Sequence, residues 1–145
     1  MIVVALVCSF ILSKTWLGRY TYATGSNEEA ARLSGIKIHR IKNVNYIFSG
    51  LLAGLVGIIL ASRMVTSQPN SAIGYEMNAI AAAVIGGASL MGGVGTVGGT
   101  VIGSFIIGIL TVGLTMSGAN YFMQQIVIGL VVIGAVTVDQ LRGRK

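Results

Sequence analysis

Apolar residues run in long blocks along this chain, and the polar residues gather between them. Residues 2–13 form an apolar run of 12, and 44–62 form one of 19. Residues 79–138 are 60 positions without a single charge. A membrane-crossing helix needs about 20 apolar residues. Residues 44–62 therefore predict one span, with Gly50, Gly54 and Gly57 at helical spacing for a close helix contact. The uncharged block is too long for two spans. Gly92, Gly93, Gly95, Gly98 and Gly99 break it once, and "TMSGAN" (115–120) breaks it again. The expected segments are 79–91, 96–114 and 122–138. The first is short, and it reads as a half-helix reaching mid-membrane, with "GGVGT" extended and buried in protein. Residues 1–13 lack the basic start and the cleavage site of a signal peptide, and read as the end of a spanning helix cut from a longer protein. The pattern predicts an all-α, polytopic transmembrane bundle.

Charge supplies the orientation. Only 10% of residues are charged against 54% hydrophobic, and mean hydropathy is +0.83. Soluble domains carry roughly 25% charge, so the surroundings are membrane lipid. The net charge of +6 would suit nucleic acid if it covered one face. Instead Lys14, Arg19, Arg32, Lys37, Arg40 and Lys42 cluster in 14–43, and Arg142, Arg144 and Lys145 in 139–145. That is the mark of cytoplasmic segments, and no nucleic-acid partner is expected. Residues 63–78, with Pro69, Asn70 and Gly74 as breakers, are expected outside. Three crossings then return the tail to the inside. Trp16, Tyr20 and Tyr46 fall at the inner boundary, and Tyr75 and Tyr121 at the outer one.

Little in the chain suggests catalysis. "GVGTVG" (93–98) matches a dinucleotide fingerprint, but no acid lies about 20 residues on to hold a ribose. Gly95, Gly99 and Gly103 recur every fourth residue, a flat face for a neighbouring helix; a share in a substrate passage is the alternative. Cys8 and His39 stand alone, so no metal set and no nucleophile–base pair is expected. No carboxylate falls inside a span, and Asp139 is expected to pair with Arg142.

One polar stretch stands out, "SNEEAARLSGI" (26–36). Ser26 and Glu29 fit a capping box. Glu28 and Glu29 suit the positive end of the helix dipole. Glu28 and Arg32 fit an i,i+4 pair, and Gly35 a stop. The expected helix, 27–34, is marginal alone in water. It either docks on a partner or rests on lipid headgroups, and the residues alone leave both open.

"GRYTYATGSNEEAARLSGI" (18–36) resembles the cytoplasmic coupling loop of bacterial ABC-importer permeases, most closely the ribose/xylose/galactose-type sugar permeases. "IAAAVIGGASLMGGVGTVGGTVIG" (80–103) resembles the glycine-rich segment of the same group, partly shared with branched-chain amino-acid permeases. The resemblance covers the chain from Leu17 onward and corresponds to the C-terminal half of such a permease. It implies an inner-membrane, multi-pass subunit that forms a translocation path for a monosaccharide and has no cofactor of its own. ATP would be used by a separate ATPase subunit; a second permease copy and an external solute-binding protein complete the implied assembly. The short helix would dock into the ATPase through Glu28, Glu29, Ala30, Ala31, Arg32, Leu33, Ser34 and Gly35, with Ala31 facing the groove. Alternatives are a branched-chain amino-acid or nucleoside permease, or a self-associating membrane protein with no ATPase partner.

Overall fold

A computed structural model describes residues 2–63 and 73–143, the side chains of 138 and 141–143 excepted. Most of the expected outer loop, Arg144 and Lys145, and the expected Asp139–Arg142 pair lie outside the described residues. The described residues are helical, without strands: α1 (Ile2–Lys14), α2 (Trp16–Ser26), α3 (Glu28–Leu33), α4 (Ile38–Arg63), α5 (Tyr75–Ile85), α6 (Val97–Met116) and α7 (Tyr121–Gly143).

Residues 16–26, expected within a polar loop, form α2. The chain bends by 72° between α1 and α2, at Thr15. Gly18 permits the bend, because a Cβ there would collide with the Leu12 backbone. Thr21 and Thr24 return their hydroxyls to the carbonyls of Leu17 and Tyr20, at 2.8 and 2.6 Å. Trp16 and Tyr20, one turn apart, meet edge to face at 5.7 Å. Threonine and glycine are poor helix formers, and hydroxyls returned to the preceding turn do not strengthen a helix; packing against α1, α3 and α4 holds α2 in place.

Two helices, α4 with 26 residues and α6 with 20, are long and apolar enough to cross a membrane, and the bent α1–α2 pair makes a third if taken as one span. α5, and the apolar part of α7 (Tyr121–Thr137), are shorter. α5 and α6 run antiparallel in close contact. Gly99 meets the Gly86 carbonyl, and Gly103 meets that of Ala82, so closely that a side chain on either glycine would collide with backbone. α7 runs beside α5 in the same direction: Gly74 lies against Tyr121, and Ser89 against Asp139. The small core where they meet holds Ala81, Ala82, Ile107 and Ile128, flanked by Ile85, Leu110 and Val132. Small residues let backbones approach, as membrane helices require in the absence of a hydrophobic drive between them. Large apolar side chains such as Ile58, Phe105 and Ile133 point outward instead, as lipid-facing residues do.

This packing gives the bundle two distinct ends. At one lie α2, α3, the start of α4, the stretch 86–96 and Asp139. At the other lie Ile73, Gly74, Tyr75 and Tyr121, where the Tyr121 hydroxyl donates to the Ile73 carbonyl at 3.1 Å. Residues 86–96 hold an irregular path between α5 and α6, with Gly87, Gly92 and Gly93 at positive φ. They sit at the end that carries the charged helix α3, where Gly93 lies against Ser26.

Candidate functional site

The charged end is built around a one-residue joint. Asn27 is extended (φ −154°, ψ 105°) and serves two helices. Its N–H donates to the Ala23 carbonyl at 3.2 Å, closing α2. Its side-chain oxygen accepts from the Ala30 N–H at 3.0 Å, opening α3. The expected cap at Ser26 is therefore displaced by one position, because Ser26 is still the last residue of α2. Glu28 and Glu29 occupy the first turn of α3, where negative charge complements the dipole.

The far end of α3 is closed as its sequence suggests. Gly35 has φ +82°, donates to Arg32, and Ile36 donates to Ala31. This pair of bonds satisfies the last carbonyls of the helix. The expected Glu28–Arg32 pair does not form among the described residues. Lys42 Nζ instead donates to both Glu28 carboxylate oxygens, at 2.9 and 2.8 Å, and so ties α3 to the first turns of α4. Both partners are about half exposed, and such a pair is worth about 0–1 kcal/mol; it orients more than it stabilises.

Ala31 is the buried residue of α3, 5% exposed. The expectation that it faces outward into a partner groove is corrected: α3 packs against α2 and α4, and Ala31 faces that contact. Glu28, Glu29, Ala30, Arg32, Leu33, Ser34 and Gly35 are exposed, Leu33 to 90%. Beside them lies an open groove of about 550 Å³ lined by Glu28, Glu29, Arg32, Ile36, Lys37, Ile38 and His39. Among the described residues no cluster of His, Cys, Asp or Glu could hold a metal ion.

The three glycines expected to share one helix face divide. Gly99 and Gly103 press on α5, while Gly95 precedes α6, 3.2 Å from Ala88 for an added Cβ. Its carbonyl accepts the Tyr22 hydroxyl of α2 at 2.6 Å. Gly50, Gly54 and Gly57 of α4 have no atom of the described residues within 4 Å of an added Cβ. Three contacts at this end escaped sequence reasoning: Tyr22 with Gly95, Asn45 Nδ2 donating to Thr21 Oγ1 at 3.2 Å, and Ser89 Oγ donating to Asp139 Oδ2 at 3.0 Å. Their partners are 73, 24 and 50 residues apart, and no local pattern signals them.

Residues 1–136 match the family described as branched-chain amino acid transport system / permease component. Over 137 residues the chain is 48% identical to the ribose import permease protein of Escherichia coli, a match covering 94% of this chain and 43% of that protein. It is 45% identical over 145 residues to the ribose import permease protein of Haemophilus influenzae, covering 100% of this chain and 45% of the relative. It is 40% identical over 137 residues to the L-arabinose transport system permease protein of Escherichia coli, covering 94% and 42%. The chain thus spans less than half the length of these curated relatives. No solved structure matches it. An all-helical bundle with outward-facing apolar side chains agrees with the family match, and the chain belongs to the branched-chain amino acid transport system / permease component family.

Proposed function

We propose that this chain is a membrane-spanning part of an ATP-driven importer for a monosaccharide, and that α3 is the handle by which a separate ATPase moves it. The observation that carries the reading is α3 itself. A helix of six residues is capped at both ends, braced by α2 and α4, and turns Glu29, Ala30, Arg32 and Leu33 outward. The likeness of the chain to permeases named for ribose and arabinose supports a pentose-like solute over an amino acid. A branched-chain amino-acid or nucleoside solute is the alternative the broader family description leaves open. ATP would be bound and hydrolysed by the partner, since the chain has no G-x-x-x-x-G-K-[ST] loop. A second permease copy and an external solute-binding protein complete the proposed assembly, in the bacterial inner membrane. The charged end faces the cytoplasm, as the positive-inside rule requires.

Leu33→Trp tests the handle. In the complete importer, a large ring on an exposed position blocks a fitted groove, so the ATPase should be lost on purification and uptake abolished while the permease stays inserted. Burying a leucine at an interface is worth about 1.5–3 kcal/mol, so association should weaken at least about tenfold. If α3 only rests on headgroups, tryptophan is welcome there, and normal uptake with the ATPase retained would overturn the reading.

A further inference from the structure

We propose that Tyr22 is a positioning residue that passes displacement of α3 to the α5–α6 hairpin, by clamping its hydroxyl on the Gly95 carbonyl. The inference rests on the reading of α3 as the ATPase-docking helix.

The path is short and has little slack. α3 joins α2 through Asn27 alone, and the backbone groups of Asn27 and its side chain are hydrogen-bonded into both helices. The last turns of α2 then meet the stretch 86–96 at two points. One is the 2.6 Å bond from Tyr22 to Gly95. The other is a backbone contact in which Gly25 lies against Gly92 and Gly93. A Cβ on Gly25 would stand 2.7 Å from the Gly93 nitrogen, and one on Gly93 would stand 2.8 Å from Ser26 Cα. Such contacts resist compression, but they do not resist separation. The hydroxyl bond supplies the pull, and the glycine contact supplies the push.

The receiving stretch is itself held. Ser89 donates its backbone N–H to the Val94 carbonyl at 3.0 Å and its hydroxyl to Asp139 of α7. Beyond it, Gly86 grips Gly99 and Ala82 grips Gly103, so α5 and α6 follow 86–96 as one body. A chain of packed groups between two sites is only a candidate route for coupling until a perturbation along it is measured. Tyr22 offers that perturbation, because Tyr22→Phe removes one oxygen and leaves the ring.

The test uses the complete importer in liposomes, with solute uptake and ATP hydrolysis measured on the same preparation. Tyr22→Phe should leave the ATPase bound and hydrolysing. The solute moved per ATP should fall about two- to tenfold, the worth of one neutral hydrogen bond. Amide exchange across 86–96, changed by a non-hydrolysable ATP analogue in the parent, should no longer respond. Gly25→Ala wedges the same joint and should give the same two results; both ratios are taken per inserted permease, so that lower accumulation does not enter. An unchanged ratio together with an unchanged exchange response in Tyr22→Phe would overturn the proposal. Leu33→Trp separates the two readings. If it leaves ATPase association intact, the docking helix is the idea that fails; if it releases the ATPase while Tyr22→Phe stays coupled, only the clamp fails.

Discussion

A methyl group added to Gly99 would collide with the Gly86 carbonyl, whereas one added to the adjacent Gly98 would meet no atom within 4 Å. The two positions therefore separate packing from helix propensity. Gly99→Ala should cost about 1–3 kcal/mol through overpacking of the α5–α6 contact. Gly98→Ala should be neutral or gain up to about 1 kcal/mol, because alanine loses less backbone entropy on folding. Unfolding in detergent micelles measures both, and equal stabilities would remove the packing argument. The same positions mark what small-residue spacing can and cannot reveal. Gly99 and Gly103 meet a backbone, Gly50, Gly54 and Gly57 of α4 meet nothing in the described chain, and Gly95 offers a carbonyl to Tyr22. The sequence pattern is alike in all three cases. It reports that a backbone could come close, and the partner depends on the three-dimensional path.

At the scale of elements, Asn27 decides where one helix stops and the next begins. Asn27→Ala keeps its backbone bond to Ala23 but removes the acceptor for Ala30. Loss of such a cap costs about 1 kcal/mol, concentrated in a helix of six residues. Amide exchange at Ala30 should quicken about fivefold or more, while exchange in the middle of α6 stays unchanged; equal rates at Ala30 in both proteins would show that the side chain is not the cap. The helix over 28–33 and its glycine stop were legible because capping chemistry is local. α2 was not legible: Gly18, Thr21, Thr24 and Gly25 argue against a helix one residue at a time. Its support comes from Asn45, Gly95 and the Leu12 backbone, which lie outside any sequence window. Ser26 and Asn27 are both good cap residues, and the length of α2 selects the second. The small side chain of Ala31 suits an outer groove as well as an inner contact, and nothing local in the sequence signals that α2 and α4 flank it.

For the whole molecule, the packing of α5 between α6 and α7 fixes which turns share an end. Leu90 belongs with α3, and Ser117 with Tyr75 and Tyr121. Single cysteines at Leu90, Ser34 and Ser117, in a Cys8→Ala background, test the orientation. A membrane-impermeant thiol reagent on intact cells should label Ser117→Cys alone, and the other two only after permeabilisation. Labelling of Leu90→Cys from outside would make α5 and α6 a re-entrant pair, and the three-crossing topology would fail. The expected crossing count rests on charge, because basic residues gather in 14–43 and in the tail. The exact length of α5 was not legible, because glycine and alanine fit helix, turn and close contact equally.

α4 differs from the rest of the bundle in how it is held. Among the described elements it touches only α2 and α3, through Asn45 and Lys42 near its start. Beyond Asn45, as far as Arg63, the described residues offer it no neighbour, and Gly50, Gly54 and Gly57 lie on that length. At 1.5 Å per residue the length is about 27 Å. If a helix from elsewhere in the assembly covers it, those three glycines are where the two backbones would come closest.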